Sequence, residues 1–331
     1  MDKRNFIKNS KSGIKRIIFS RTFIVVLLLL VQAVFLFLIL GILKDYFFYS
    51  YWGTVLISAV TCIIIANRRG NPSYKLSWMF LILLLPVFGI LFYIFVETQR
   101  VPKIINKMLD MRRLYITEYG TQDMEVFHRL ESSSPETANL SRYLYKETHF
   151  PVYQNTRIRY FPSGEALFPE LIKSLESAET FIFMEYFAFS EGKMWNTILD
   201  ILKRKVKEGV EVRFLYDGTC SFKMPYNYSR QLESWGIKCH VFNQIRPVLS
   251  TVQNNRDHRK ITVVDGRIAC TGGINLEDAY INAEVRYGYW KDTAVILRGD
   301  AVKSFTFMFL QSWNLYKKVH VKSYEKYFPR S

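Results

Sequence analysis

Residues 23–43 read FIVVLLLLVQAVFLFLILGIL, 21 positions in which Gln32 is the single polar side chain. At 1.5 Å per residue, a helix of that length crosses a hydrocarbon core of roughly 30 Å. Lysines and arginines precede the run, as they precede a signal peptide. The apolar part is too long for one, and no small-x-small cleavage site follows, so a retained anchor is expected. Residues 51–66, YWGTVLISAVTCIIIA, form a second apolar run of marginal length. NRRGNPSYK (67–75) reads as a turn by its Asn, Gly and Pro. SWMFLILLLPVFGILFYIF (77–95) makes a third run, with Pro86 and Gly89 expected to be tolerated inside a membrane helix. Two apolar runs joined by a short basic turn predict a helical hairpin. Residues 1–98 are therefore read as a membrane anchor of two or three transmembrane helices.

A formal charge of +16 first suggests nucleic acid, but its distribution argues against that partner. Up to Arg113 there are 16 Lys and Arg against 4 Asp and Glu, so +12 lies in the first third. The remaining 218 residues carry only +4. The excess flanks apolar runs, as in membrane anchors. With three spans, ten basic residues fall on the side of the N-terminus and the 67–75 turn, and six on the other. That leans toward a cytoplasmic N-terminus and an external C-terminal domain, and the answer reverses if residues 51–66 do not span.

KIINKMLDMRRLY (103–115) places Ile104, Met108, Met111 and Tyr115 on one helical stripe, which fits either a helix in the headgroup region or a packed linker helix. ESSSPETAN (131–139) is a polar break and a candidate boundary. Residues 99–149 are read as a juxtamembrane helical linker. Cys62, Cys220, Cys239 and Cys270 form no CxxC pair and are read as buried small hydrophobes rather than disulfide partners or zinc ligands.

From about residue 150 short strands alternate with helices. TRIRYFP (156–162) is a strand and GEALFPELIKSLESA (164–178) an amphipathic helix. TFIFMEYFAF (180–189), VEVRFLYD (210–217) and KCHVF (238–242) read as further strands, with helices at 194–209 and 227–236 between them. KITVVD and RIACTGG form a hairpin around Gly266, and DTAVILRG (292–299) is a strand before a last helix. The alternation predicts an α/β domain over 150–331, its mostly parallel sheet covered by helices on both faces.

The hairpin carries the chemistry. In DHRKITVVDGRIACTGGIN (257–275), His258 and Lys260 stand two residues apart and so project from one face where a strand begins. Polar groups at a strand end of an α/β sheet lie where such sheets bind ligands. Gly272 and Gly273 let neighbouring backbone approach, and Asn275 can offer an amide donor. An ammonium, an amide and an imidazole converging on one point suit a phosphate oxyanion. H-x-K-x4-D alone should arise by accident in roughly 1% of chains this long, and the added glycine and asparagine lower that more than a hundredfold.

These residues resemble the H-x-K-x4-D-x6-G-[GS]-x-N motif of the phospholipase D superfamily. Within it, RDHRKITVVDG, GGINLEDAY and WKDT (290–293) look most like bacterial cardiolipin synthases. NPSYKLSWMFLILLLPVFGILFYIF resembles their membrane hairpin, and the likeness covers about residues 50–316. It implies a multi-pass protein of the bacterial cell membrane, acting on phosphatidylglycerol. It also implies a first phospholipase D-like half that moves a phosphatidyl group to a second phosphatidylglycerol through a phospho-histidine, giving cardiolipin and glycerol. His258 would be nucleophile or general acid. Lys260, Asn275 and Gly273 would hold the phosphate, and Asp265 would belong to the catalytic group mainly as a support. Asp292 would orient the imidazole, with Glu284 as second choice. No metal or other cofactor is implied.

Such enzymes bring two motifs together, and this chain holds one. None of His128, His149, His240 and His320 has a lysine two residues on. Three readings stay open: a truncated chain, a homodimeric site or pairing with a C-terminal half, and an inactive half. A phospholipase D-type phosphodiesterase is the alternative activity, and the anchor and near-neutral body disfavour a nuclease.

Overall fold

The computed structural model describes residues 21–42, 44–98, 120–225, 227–244, 256–286, 288–314 and 324–329. They fall into two units, one holding residues 21–98 and the other the described residues from 120 onward. The 103–115 stripe lies outside the described residues.

In the first unit, helix α1 (Arg21–Phe37) runs into a π-type turn over Leu38–Ile42. Helix α2 (Phe47–Asn67) follows a 3-10 turn. Together they make Lys44–Asn67, the one helix among the described residues long and apolar enough to cross a membrane. Asn71 caps helix α3 (Pro72–Leu84) by accepting from the Ser73 amide at 2.9 Å, with Pro72 at the first helical position. The single helix expected over 77–95 is corrected here. It breaks at Leu85, because Pro86 cannot donate to the preceding turn and its ring obstructs that turn's carbonyl. Helix α4 (Pro86–Thr98) then doubles back on α3, so that Trp78 lies 5.6 Å from Phe92 and 5.3 Å from Tyr93, ring centre to ring centre. Gly89 permits this closeness, since a Cβ there would stand 2.7 Å from the Ile82 Cα.

The second unit opens with helices α5 (Met124–Ser133) and α6 (Pro135–Thr148). They meet at Ser134, so the expected polar break at 131–139 is a helix corner. Then come β1 (Thr156–Phe161), α7 (Gly164–Glu176), β2 (Phe181–Tyr186), α8 (Lys193–Lys207) and β3 (Glu211–Asp217). After them follow α9 (Tyr228–Ser234), β4 (Lys238–Phe242), β5 (Ile261–Val264), β6 (Ile268–Gly272), β7 (Ala294–Gly299) and α10 (Val302–Asn314).

These strands form one sheet in the order β1-β7-β6-β5-β2-β3-β4. Helices cover both faces. Ile182, Met184 and Tyr186 of β2 pack with Leu171 of α7 and Trp195 of α8, whereas Phe181 and Phe183 pack with Phe309 and Trp313 of α10. The expectation of a mostly parallel sheet is corrected. Only β2–β3 and β3–β4 are parallel, and the other four pairings are antiparallel. A parallel pair needs a helical crossover, which α8 and α9 supply. β5 and β6 are instead joined by a tight turn whose Asp265 and Gly266 stand at φ 53° and 65°, and such a turn can only give an antiparallel pair.

Candidate active site

The strand that carries the motif is the fourth of seven, the centre of the sheet. β5 runs antiparallel to β2, with Ile261 opposite Glu185. Residues just before β5 therefore lie beyond the C-terminal ends of β2 and β3. The end of β6 and the start of β7 meet at the same edge, where Gly272 pairs with Ala294. His258, Lys260, Gly273, Asn275 and Asp292 thus come from three separate segments to one sheet edge.

Within the lead-in to β5 the side chains alternate. His258 is exposed and its ring packs on Phe187 at 4.6 Å between centres. Lys260 is buried beneath, with Nζ donating to the His258 carbonyl at 2.7 Å and 5.2 Å from the centre of the same Phe187 ring. Burial lowers the Lys260 pKa from its ordinary value, against the opposing pull of Asp292 and then Asp257. Phe187, a residue the sequence does not single out, is the common floor of both.

Arg259 points the other way, into a buried acidic network. Its guanidinium donates to Glu185 at 2.6 Å, to Asp257 at 2.9 Å and to Ser312 of α10 at 2.5 Å. Burial, and then the neighbouring Asp257 carboxylate, push the Glu185 carboxyl well above the usual range, against the pull of Arg259. Burial also acts on Asp257, but its hydrogen bonds with Glu185 and Arg259 outweigh it and leave that group below its ordinary value. Asp217, fully buried at the end of β3, accepts from the Asp257 amide at 3.0 Å and from Arg256 at 3.5 Å. Two strands thereby clamp the backbone that presents His258 and Lys260. One signal was available in the sequence: Glu185 is the only charged residue in TFIFMEYFAF, and a charge in a buried strand calls for a partner.

Asn275 is 2% exposed, and its amide is largely committed. Oδ1 accepts from the Ala188 amide at 3.1 Å and Nδ2 donates to the Tyr280 hydroxyl at 2.7 Å. Among the described residues the second N–H of that amide has no partner. Asp292 sits against the glycine pair, where a Cβ on Gly273 would lie 2.0 Å from its Oδ1. Its Oδ1 accepts from the Thr293 amide at 2.7 Å, and among the described residues no hydrogen bond joins it to His258. Glu284, the second choice, is turned to Arg286 at 3.2 Å. Asp265 is not brought to the site. It lies at the far end of β5, where its carboxylate accepts from the Glu179, Thr180 and Phe181 amides at 2.8 Å each and from the Thr180 hydroxyl at 2.6 Å. Burial opposes, but these donors win and hold its pKa below the ordinary value.

Comparison with known proteins places this arrangement among relatives. Residues 171–313 match the family described as "Cardiolipin synthase, PLD-like domain", and residues 55–97 match the phospholipase D-nuclease N-terminal region. An uncharacterized protein of Streptococcus mutans is 46% identical over 77% of this chain and 56% of its own length. A cardiolipin synthase of Alkalihalophilus pseudofirmus is 32% identical over 76% of this chain and 50% of that protein. Cardiolipin synthase 2 of Bacillus cereus is 34% identical over 78% and 51%. The chain spans about half the length of these curated relatives. Among solved structures, the phospholipase D family member Nuc of Salmonella typhimurium is similar over 49% of this chain and 95% of that one, at 22% identity and a TM-score of 0.36.

Proposed function

The chain belongs to the phospholipase D-like cardiolipin synthase family, and on that premise we propose that it is a membrane-resident half-site for phosphatidyl transfer. The observation that carries this is the pairing of an exposed His258 with a buried Lys260 on one face of the central strand's lead-in.

In the reaction proposed, an imidazole nitrogen of His258 attacks the phosphorus of phosphatidylglycerol. The bond to the glycerol oxygen breaks, and a second imidazole protonates that oxygen. A hydroxyl of another phosphatidylglycerol then attacks the phospho-histidine and passes its proton to the second imidazole, giving cardiolipin and freeing His258. Lys260 and the remaining Asn275 N–H stabilise the charge that gathers on the phosphoryl oxygens. Asp292 offsets the effect of burial on Lys260, and orienting the imidazole is its proposed second role. Splitting the transfer into two displacements lets an alcohol replace water as the acceptor.

One imidazole cannot be bound to phosphorus and also protonate the leaving oxygen. The second motif comes from another copy of this chain or from a C-terminal half, and without it general acid catalysis worth about 10²–10⁴-fold is lost. The test is cardiolipin formation from labelled phosphatidylglycerol by the detergent-purified chain, alone and with a co-expressed C-terminal half, with mass followed in the same fractions. Turnover should track species that contain two motifs. Robust turnover by a proven monomer would overturn the proposal. The membrane residence proposed is multi-pass, with α2 crossing and α1 crossing together with the helical turn Leu38–Ile42 that continues it.

A further inference from the structure

Gln32 is the one polar side chain between Phe23 and Leu43, and it is buried while Leu29, Leu30, Val31 and Val34 around it are exposed. Its Oε1 accepts from the Phe88 amide at 3.0 Å. Phe88 lies in the first turn of α4, where a helix leaves its amides without partners. In hydrocarbon an unpaired amide costs several kcal/mol, so the glutamine serves as the missing cap. Gln32 stands midway along the helical run Arg21–Ile42. The Leu85–Pro86 bend therefore lies near the middle of that run.

The other ends of these helices gather elsewhere. Arg68 after α2 pairs with Glu97 of α4 at 2.5 Å and lies over the Tyr93 ring at 5.6 Å. Lys75 in the first turn of α3 donates to the Ala66 carbonyl near the end of α2 at 2.9 Å. The end of α2, the start of α3 and the end of α4 share one level. Each arm of the α3–α4 pair has 13 residues, about 20 Å, against a hydrocarbon core of about 30 Å.

We infer that α3 and α4 form a re-entrant hairpin that dips into one leaflet and returns the chain to the cytoplasmic side on which it entered. Its occupant surface is acyl chain, met by the exposed Leu76, Phe80, Leu83, Leu84 and Ile94. Charge decides the side. Three full spans would leave the five basic residues between Arg100 and Arg113 opposite the N-terminus, a split of ten against six. With the hairpin re-entrant those five join the ten, and Lys44 alone remains outside. Fifteen against one is the asymmetry that cytoplasmic retention of Lys and Arg produces. The exposed Tyr46, Phe48, Tyr49 and Trp52 at the start of α2 fit an aromatic belt at the outer interface. On this inference the C-terminal domain lies on the cytoplasmic side, opposite to the expectation from three spans.

The inference rests on the membrane residence proposed above, and its test separates the two. The native cysteines are all buried, so the parent chain gives the unlabelled baseline. Single cysteines replace Tyr46, Arg69 and Glu125, the last 89% exposed on α5. In intact cells an impermeant maleimide should label Tyr46→Cys and spare Arg69→Cys and Glu125→Cys until the membrane is permeabilised. Labelling of Glu125→Cys from outside, in a chain that survives alkaline carbonate washing, overturns the re-entrant topology alone. Release of the chain by that wash overturns membrane residence, and the hairpin's leaflet with it.

Discussion

The two ends of β5 hold the two ends of one motif, and the structure uses them in opposite ways. At the start, His258 is exposed and Lys260 spends a single hydrogen bond on a backbone carbonyl. At the finish, Asp265 accepts four hydrogen bonds from residues 179–181 and ties the β5–β6 turn to the lead-in and first residue of β2. A side chain whose bonding capacity is consumed inside the fold can only support. One held in place by its neighbours, with capacity left over, can act. Spacing in a motif is silent on this difference, and hydrogen-bond partners reveal it.

The sharpest way to break the contrast is to truncate each end in turn. In an assembly that carries two motifs, His258→Ala should abolish turnover, by on the order of 10⁴-fold or more as for other nucleophiles. Because the imidazole is exposed, the melting temperature should hardly move. Lys260→Ala should lower the rate by about 10²–10³-fold, like removal of an oxyanion donor. Activity measured alongside circular-dichroism melts separates the effects. A large fall in melting temperature for His258→Ala would mean that the near end is structural too.

Much of this was legible beforehand because each signal was local. The i, i+2 placement of His258 and Lys260, the strand order of residue types from 156 onward and the covering of the sheet on both faces follow from period and punctuation. The misses share a cause: they depend on contacts between segments far apart in the chain. An apolar run presents Pro86 and Gly89 as tolerated inside one membrane helix, whereas Gly89 lets the chain fold back on Ile82, a contact no window shows. Alternation of strands and helices does not reveal that β5 inserts antiparallel beside β2. Glu185 of β2, Phe187 just after it and Asp217 of β3 serve the site from 41 or more residues before His258, and nothing in the motif points back to them.

At the far end the effect should be smaller and should appear in stability. Asp265→Asn keeps a residue type that tolerates positive φ but faces the Glu179 amide with a donor, and it should cost about 1–3 kcal/mol while sparing the rate per folded molecule. The sign of its pH dependence follows from the lowered pKa. The carboxylate's stabilisation is present above its unfolded value near 3.9 and is lost as pH falls through the lower folded value. Chemical denaturation across pH 3–6 should show an acid loss in the parent that is flatter in the variant. An unchanged acid limb together with lost turnover would place Asp265 in the chemistry after all.

The smallest effect is expected beneath the near end, and it tests what holds that end in place. If Glu185 is kept neutral by burial and by Asp257, then Glu185→Gln replaces a proton donor with an amide of the same shape. Its Oε1 still accepts from Arg259 and its N–H still faces Asp257. The cost at neutral pH should therefore stay within about 1 kcal/mol, as when a buried hydrogen bond is exchanged for another. If Glu185 were instead the ionised partner of Arg259, the same change would break a buried ion pair at about 3–5 kcal/mol. pH distinguishes these independently. A raised folded pKa gives stability that is complete below the unfolded value near 4.3 and declines as pH rises through the folded value. Glutamine does not titrate, so the variant should gain on the parent as pH climbs from 5 toward 8. A variant that instead falls steadily behind the parent over that range would show an ionised Glu185, and the clamp on His258 and Lys260 would then be an ion pair rather than a shared proton.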